Sequence, residues 1–453
     1  MMTLVEAMGA IVGEKGVFAD AKSIGVFSKD AYYYSPVLKS LLGDKQADLV
    51  VAPQTVEELQ QVVRYAVQNN IPVTLRGAGT GNYGQCVPLH GGLVVSTHRM
   101  NRILDFDDTT GVIRVEAGTR LGQIERHGRE RGWELRCYPS TWATAAVGGF
   151  VGGGFGGVGS IRNGVLWDGF LKNITVMEMT AEAKLHQLEG HDIFGFIHAY
   201  GTSGIMVEFE INLAPAVPWE EAVLSFPSYE SALRFSHALA LDTDEPKRLI
   251  SLHEWPIPSF FKPLVDAGGV EEGRAVVLLE LSQGRTAAIA ERAVSYSGKL
   301  TYTAPAGAYH KGKFCLTDFT WNHTTLWAMK ADPDWTYLQS AFRPEPDAAL
   351  AQIAELRAFH GDKVAFHQEY IARGGHLQLA ALDLIYYQTK DEIYASIAKR
   401  EEMGIQVADP HTYFLDADPR WGGEPVLQAR AKYDPLGLLN PGKISDGAAE
   451  KVR

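Results

Sequence analysis

Residues Gly148 to Gly164 read GGFVGGGFGGVGSIRNG, in which nine glycines are interleaved with Phe, Val and Ile. Flexible linkers combine glycine with serine, whereas apolar residues between glycines anchor a segment in a core. Glycine is required where the backbone takes a positive φ or approaches a ligand with no Cβ between them. This stretch, called here the second glycine tract, is therefore predicted to lie against a bound cofactor.

A shorter glycine loop, RGAGTG, occupies residues 76–81 and follows a predicted helix and a short apolar strand. The helix begins after Thr55, an N-cap residue with Glu58 three positions on. A nicotinamide-binding fingerprint would place its glycines between a strand and the helix that they open, so no Rossmann site is expected here.

The first glycine loop instead favours a phosphate nest. Backbone N–H groups that are free of side chains form a concave site suited to a pyrophosphate. Gly77, Gly79 and Gly81 would supply that nest, with Thr80 and Asn82 as side-chain donors. A nucleotide cofactor is the natural ligand of two such segments.

The composition is that of a globular chain of 453 residues, 46% hydrophobic, with a net charge of −12. Nucleic acid and anionic membranes attract basic faces, so neither is expected as the main partner. Cys86, Cys137 and Cys315 lie far apart and indicate no disulfide framework and no zinc spacing. With no basic signal region and no apolar run of ~18 residues, the chain is predicted to have no membrane span and to be cytoplasmic.

The predicted helices and strands indicate an α+β protein in two parts. Short strands and glycine turns up to about residue 215 form one unit, and Pro215 and Pro218 mark its boundary. Beyond them, strands alternate with helices and predict a second α/β unit, with strands near 222–226, 249–254, 275–281 and 300–302. No internal repeat stands out.

The joint order of the motifs resembles the FAD-linked oxidases of the vanillyl-alcohol oxidase type, in particular the D-lactate and glycolate dehydrogenase-like members. The motifs that carry the resemblance are VAPxTxEEL at 51–59, RGAGTG at 76–81, VEAG at 115–118, YPST at 138–141, VGG at 147–149, RNG at 162–164 with Asp168, Gly204-Ile205, and NPGK at 440–443. The resemblance implies a two-part PCMH-type FAD-binding domain at 1–217 with an N-terminal extension at 1–45. An α/β (ferredoxin-like) substrate cap is expected at 218–415, and a C-terminal segment at 416–453 is expected to return to the FAD-binding domain.

The same resemblance implies which residues hold FAD. They are Arg76, Gly77, Ala78, Gly79, Thr80, Gly81, Asn82, Pro139, Ser140, Thr141, Gly148, Gly149, Gly159, Arg162, Gly204, Ile205 and Asn440. Relatives that attach FAD covalently have a histidine in the place of Thr80. Because a hydroxyl cannot form that bond, FAD is expected to be held noncovalently, and Cys137 is interpreted as an ordinary buried residue.

The chemistry requires a base that removes the substrate proton and an anchor that orients the substrate over the flavin. His411, in a degraded counterpart of the family's histidine motif, is the predicted base. Lys330, in WAMK at the place of a family arginine, is the expected carboxylate anchor, although an exposed surface lysine is the alternative. Further candidates for the base are Tyr370, Tyr413, His367 and His323.

Three residues in degraded family motifs could hold a divalent metal ion. Glu369, His376 and Asp409 offer the carboxylate and imidazole ligands that suit Zn, Mn or Fe. The alternative for His376 is a buried, hydrogen-bonded histidine of a strand.

The function implied is that of an FAD-dependent oxidoreductase acting on a C–OH centre, of a 2-hydroxy acid or a related alcohol. Its partners would be this small-molecule substrate and an electron acceptor, which is oxygen, a quinone or a redox protein. One alternative is an oxidase of aromatic alcohols or amines, favoured by the lysine in place of the family arginine and by a set of late aromatic residues: Phe319, Trp321, Trp327, Trp335, Tyr337, Tyr386 and Tyr387. Another is a noncatalytic flavin-carrying subunit of a multi-protein dehydrogenase, favoured by the degraded histidine motifs. The oligomeric state is left open.

Overall fold

The computed structural model describes residues 2–307 and 314–445. Residues 446–453 of the predicted C-terminal segment lie outside the described residues. Helices and strands occur throughout both described ranges, which confirms the predicted α+β class. Within them, no helix has both the length and the apolar character needed to cross a bilayer.

An α/β layer at the N-terminus holds the first glycine loop. Its sheet has the order β1-β2-β4-β3, parallel except for β1. The strands are β1 (Val17–Phe18), β2 (Leu49–Val51), β3 (Val73–Arg76) and β4 (Leu93–Ser96), and the helices are α1 (Leu4–Val12), α2 (Ala21–Phe27), α3 (Pro36–Leu42) and α4 (Val56–Gln68). The N-cap predicted for α4 is confirmed, because the Thr55 hydroxyl accepts the Glu58 N–H at 3.2 Å. The carboxyl end of β3 leads directly into the first glycine loop.

An antiparallel sheet of order β5-β6-β10-β8-β9 follows and packs beside the second glycine tract. The strands are β5 (Ile103–Asp107), β6 (Val112–Glu116), β7 (Trp133–Glu134), β8 (Leu171–Met177), β9 (Leu185–Glu189), β10 (Ile205–Asn212) and β11 (Ala214–Pro215), of which β7 pairs with β11. The helices are α5 (Leu121–Arg129), α6 (Val147–Gly153) and α7 (Ser160–Asn163). The second glycine tract therefore contains two short helices, α6 and α7.

A nine-stranded antiparallel sheet dominates the rest of the chain, in the order β15-β12-β14-β13-β18-β19-β16-β20, with β17 paired to β19. Its strands are β12 (Trp219–Phe226), β13 (Lys247–His253), β14 (Ala275–Ser282), β15 (Lys299–Ala304), β16 (Trp335–Phe342), β17 (Val364–Ala365), β18 (His367–Arg373), β19 (His376–Tyr386) and β20 (Gln406–Ala408). The accompanying helices are α8 (Tyr229–Leu241), α9 (Lys262–Asp266), α10 (Thr286–Val294), α11 (Asn322–Ala331), α12 (Pro346–His360) and α13 (Lys390–Glu402).

This large sheet is two ferredoxin-like units side by side. In each, the chain runs strand, helix, two strands, helix, strand, and the fourth strand lies beside the first: β12-α8-β13-β14-α10-β15, then β16-α12-β18-β19-α13-β20. The units join where β13 pairs with β18. The structure therefore repeats one topology although no internal repeat stands out in the sequence, and the ferredoxin-like character of the cap is confirmed.

The C-terminal residues return to the first sheet after α14 (Glu424–Tyr433). The Val73 N–H donates to the Leu438 carbonyl at 2.8 Å, and the Asn440 N–H donates to the Val73 carbonyl at 2.7 Å. The N-terminal extension reaches both halves, since the Ala31 N–H donates to the Gly81 carbonyl and the Thr336 hydroxyl donates to the Tyr34 carbonyl. These contacts fix the first glycine loop beneath the nine-stranded sheet.

Candidate functional site

The two glycine segments, far apart in sequence, meet face to face. A Cβ placed on Gly77 would lie 3.3 Å from the Gly149 nitrogen, and a Cβ placed on Gly149 would lie 3.9 Å from the Gly77 Cα. Beside this contact opens a cleft lined mainly by residues 75–82, 139–156 and 200–201. The close approach favours glycine at position 77, where a Cβ would be tight, whereas a Cβ on Gly149 would make only an ordinary contact.

The first glycine loop presents unused hydrogen-bond donors to this cleft. Among the described residues, none accepts a hydrogen bond from the backbone N–H groups of Gly77 to Asn82. These residues are half-buried or exposed, apart from the buried Asn82, so their N–H groups are available to solvent or to an acceptor bound in the cleft. Gly79 takes a φ of +69°, a conformation that glycine adopts without strain. The loop has the geometry of an anion nest.

The second glycine tract supplies the opposite wall. The N–H groups of Val147 and Gly148 donate to the Thr119 and Ala117 carbonyls at 2.9 Å and tie the start of α6 to the preceding turn. A Cβ on Gly148 would come within 2.9 Å of the Ala117 oxygen. This wall of the cleft is thus backbone without side chains, packed tightly against Ala117 on one side and facing the cleft on the other.

Side chains from the large sheet and the C-terminal segment close the remaining side. Trp321, Asn322, Gln339 and Arg420 line the cleft there. Arg420 is held by Asp418, with Arg420 Nε 2.8 Å from Oδ1, and its guanidinium carbon lies 5.4 Å from the centre of the Tyr83 ring. Asp418 accepts hydrogen bonds from Nε and Nη2 of this guanidinium, which also interacts with the Tyr83 hydroxyl.

Two tyrosines bridge the first glycine loop and the cap. The Tyr83 hydroxyl donates to Gln339 Oε1, and Asn82 Nδ2 donates to the Tyr337 oxygen at 2.7 Å. Asn322 Nδ2 donates to the same Tyr337 oxygen at 3.2 Å. Burial raises the pKa of Tyr337 well above its ordinary value, so its hydroxyl stays protonated at neutral pH.

A family model described as an FAD binding domain matches residues 47–182, a range that contains both glycine segments and ends just before β9. The chain carries an FAD-binding domain of the PCMH type. The bare backbone walls and the unpaired N–H run of this domain fit FAD, whose pyrophosphate needs such donors and whose flat ring needs walls without Cβ atoms.

Several named proteins are similar to this chain. It is 30% identical over 194 residues to an uncharacterised FAD-linked oxidoreductase of Mycobacterium tuberculosis, a match that covers 41% of this chain and 42% of that protein. It is 29% identical over 230 residues to a D-lactate dehydrogenase of Archaeoglobus fulgidus, covering 47% and 50% of the two chains. The chain thus spans half or less of the length of these two relatives.

A longer but weaker match is to glycolate oxidase subunit GlcD of Bacillus subtilis, 23% identical over 434 residues and covering 89% of this chain and 90% of that one. A solved structure of alkyldihydroxyacetonephosphate synthase superposes with a TM-score of 0.71 at 14% identity, covering 95% of this chain and 82% of the other. That likeness concerns the fold alone.

The cofactor residues predicted from the sequence fall into two groups. Those that line the cleft of the FAD-binding domain are Arg76, Gly77, Ala78, Gly79, Thr80, Gly81, Asn82, Pro139, Ser140, Thr141, Gly148 and Gly149. Those that do not line it are Gly159, Arg162, Gly204, Ile205 and Asn440.

The second group has structural contacts instead. Arg162 stacks over the Trp219 ring at 5.5 Å, and a Cβ on Gly159 would clash with the Arg136 carbonyl. Gly204 and Ile205 pack in the core around the start of β10. Asn440 donates to the Gln85 and Tyr200 carbonyls at 2.7 and 2.6 Å, and so supports the floor of the cleft from behind.

His411 does not lie at the cleft, which corrects its assignment as the base. Its side chain is fully buried, with Nε2 3.1 Å from the Tyr337 carbonyl and Nδ1 2.7 Å from the Ser35 hydroxyl. The carbonyl requires a proton on Nε2, so Nδ1 accepts from Ser35 and neither nitrogen is free to act. Burial lowers the pKa of His411 to about 4, so the ring is neutral at physiological pH.

The prediction that Lys330 is the carboxylate anchor is also corrected. Lys330 is exposed at the end of α11, where its Nζ lies 4.1 Å from the centre of the Trp327 ring, and it does not line the cleft. The further candidates Tyr370, Tyr413, His367 and His323 do not line it either. The candidates taken from the degraded family motifs therefore all lie outside the cleft.

The predicted metal ligands do not converge. Glu369 lies inside β18 and binds the Trp321 N–H, whereas His376 is exposed at the start of β19 and Asp409 follows β20, on the far side of β19 and β16. In residues 2–307 and 314–445, no three His, Cys, Asp or Glu side chains form a group that could hold a metal ion. This corrects the assignment of Glu369, His376 and Asp409 to one ion.

Proposed function

We propose that the protein is an FAD-dependent oxidoreductase that oxidises the C–OH group of a 2-hydroxy acid. The observation that carries the proposal is Arg420, a cation that lines the cofactor cleft. A guanidinium is the side chain best suited to a carboxylate, and it replaces the charge sought at Lys330. The names of the similar proteins, D-lactate dehydrogenase and glycolate oxidase subunit, support the same substrate class.

The residues have separate roles in this proposal. The first glycine loop and the second glycine tract hold FAD noncovalently, since Thr80 stands where a linking histidine would be and no histidine lines the described cleft. Bound FAD supplies the hydride acceptor. Arg420 anchors the carboxylate, and Asn322 and Gln339 orient the hydroxyl. The hydroxyl proton passes to solvent, since no histidine or carboxylate lines the described cleft, and the electrons leave to oxygen, a quinone or a redox protein.

Two other functions each have one observation in their favour. Phe155, Trp321 and Tyr83 give the cleft aromatic walls, which would suit an aromatic alcohol or amine. The titratable side chains lining the described cleft are Arg76, Tyr83, Cys86, Tyr200 and Arg420, with no histidine or carboxylate among them. The lack of an ordinary base favours a flavin-carrying subunit that does not turn over substrate.

Anaerobic bleaching of the bound flavin discriminates among the three. The purified yellow protein is mixed in turn with D-2-hydroxy acids, L-2-hydroxy acids, benzylic alcohols and benzylic amines, and the flavin absorbance is followed. Bleaching by hydroxy acids alone supports the proposal, bleaching by the aromatic compounds alone favours the second function, and a flavin reduced by none of them favours the third. Cell fractionation tests the predicted cytoplasmic location separately, because the activity should then appear in the cytoplasmic fraction.

A further inference from the structure

The anchor Arg420 is the last member of a buried chain of hydrogen bonds that begins at the second glycine tract. His198 Nδ1 lies 2.8 Å from the Gly154 carbonyl, and His198 Nε2 lies 3.2 Å from Asp418 Oδ2. Asp418 in turn holds Arg420 through its side chain and through the Arg420 N–H at 2.8 Å. Three segments that are distant in sequence are thereby linked.

The middle of this chain is closed to water. The His198 and Asp418 side chains are 1% and 3% exposed. Burial alone would raise the pKa of the Asp418 carboxyl, but the Arg420 guanidinium and the His198 ring outweigh it and leave the pKa below its ordinary range. A buried carboxylate that lost the Arg420 guanidinium would be left without its charge partner, which ordinarily costs more than the pair contributes.

The backbone around His198 is strained in order to hold this position. His198 and Tyr200 have φ values of 54° and 51°, a region that residues other than glycine rarely occupy. The segment is kept there by the His198 N–H to the Val151 carbonyl at 2.9 Å and the Tyr200 N–H to the Gly152 carbonyl at 2.8 Å. Backbone strain of this kind persists where the surroundings fix it, commonly at functional sites.

The far end of this chain of hydrogen bonds is the guanidinium of Arg420, which lines the cleft. The guanidinium of Arg420 lies beside the rings of Tyr83 and Phe155, at 5.4 and 5.8 Å from their centres. Asp418 occupies the Nε and Nη2 side of the fork. Since Arg420 lines the cleft, a ligand would contact the part of the guanidinium that Asp418 does not cover.

We infer that His198 and Asp418 are positioning residues that hold the Arg420 guanidinium at the angle needed to bind a substrate carboxylate. The inference rests on the proposed function, in which Arg420 is the anchor. Neither residue touches the cleft, so each acts through Arg420. His198 is also hydrogen-bonded to the Gly154 carbonyl, so the position of Arg420 depends on the same backbone that would contact the flavin.

The test is carboxylate binding by the purified FAD-loaded protein, measured without turnover. Oxalate is titrated into the oxidised protein and its dissociation constant is read from the shift of the flavin absorbance. We expect Asp418→Asn to weaken oxalate binding at least tenfold and His198→Leu about fivefold. His198→Gln, whose amide N–H can still reach Asp418, should stay within about twofold of the parent protein.

A matched control separates positioning from general damage. Asp383 and Arg400 form another fully buried pair, 3.3 Å apart, on the helix side of the large sheet. Asp383→Asn should lower the melting temperature without changing oxalate affinity or flavin content.

Three results would overturn the inference: unchanged oxalate affinity in Asp418→Asn and His198→Leu, an equal loss in Asp383→Asn, or no oxalate binding by the parent protein. The bleaching panel is independent of all three. If hydroxy acids bleach the flavin while the variants bind oxalate normally, the inference alone fails. If no hydroxy acid bleaches it, the proposed function fails.

Discussion

Gly149→Val is the sharpest probe of the cofactor cleft. A Cβ on Gly149 would have a single neighbour within 4 Å, the Gly77 Cα at 3.9 Å, so the protein itself has room for the new side chain. Valine is not worse than glycine inside a helix, and Gly149 lies in α6. The fold should therefore tolerate the change, with a melting temperature close to that of the parent.

The cofactor should not tolerate it. The added isopropyl group would project from the wall of the cleft that both glycine segments line, where we expect the flavin to lie. Forcing extra methyl groups into a packed contact costs about 1–3 kcal/mol. A cost of about 2 kcal/mol corresponds to roughly 30-fold weaker binding, and more is expected where the rigid flavin cannot move aside.

The assay is titration of the apoprotein with FAD, followed by the quenching of flavin fluorescence. Gly9→Val in α1 is the matched control, since a Cβ there meets no atom within 4 Å and Gly9 does not line the cleft. FAD affinity within twofold of the parent in Gly149→Val, with normal stability, would refute the placement of the flavin against Gly149.

Three further outcomes are expected. Acid precipitation of the yellow protein should leave the colour in the supernatant, and colour retained in the pellet would contradict noncovalent binding. Arg420→Lys should raise the KM for a 2-hydroxy acid about tenfold with little loss of flavin, whereas Lys330→Ala should change KM less than twofold; the reverse pattern in steady-state kinetics would restore Lys330 as the anchor. Burial lowers the pKa of His411 from 6.5 to about 4, so the unfolded chain takes up this proton before the folded protein does as the pH falls. The contribution of the neutral ring to the free energy of unfolding is therefore complete above pH 6.5 and falls by about 3 kcal/mol as the pH drops towards 4. His411→Gln should therefore flatten the acid limb of urea stability curves between these pH values and leave flavin reduction within about threefold of the parent rate, and a hundredfold slower reduction would reinstate it as the base.

The glycine segments could be read from the sequence because their requirement is local. Gly77 and Gly149 have no Cβ, and that absence is visible without knowing what lies opposite. The same holds for α4, whose start at Thr55 depends on a hydrogen bond to a residue three positions away. Positions whose chemistry is decided within a few residues of chain are the ones that sequence reasoning placed correctly.

His411 and Arg420 lay beyond that reach for one physical reason. Whether His411 faces a cleft or the Tyr337 carbonyl depends on how residues after β20 pass over β16, and the family motif fixes only its place in the chain. Arg420 enters the cleft because the C-terminal segment returns past Tyr83, a contact across more than 300 residues. An Asp-Pro-Arg-Trp sequence at 418–421 gives no signal of that encounter.

The duplicated cap explains why the cleft opens where it does. The first strands of the two units, WEEAVLSF in β12 and WTYLQSAF in β16, have equal lengths and share only the terminal Trp and Phe. Their third residues, Glu221 and Tyr337, occupy equivalent positions, yet Glu221 is covered by the Leu316 N–H at 2.8 Å while Tyr337 meets Asn82 of the first glycine loop. Burial and the neighbouring Glu280 carboxyl raise the pKa of Glu221 to about 8, which is the consequence of enclosing that side. The segment before α11 covers Glu221 of the first unit, whereas Tyr337 of the second unit faces the FAD-binding domain, so we expect substitutions in the second unit and at Trp321 or Asn322 to alter substrate preference more than substitutions in the first unit.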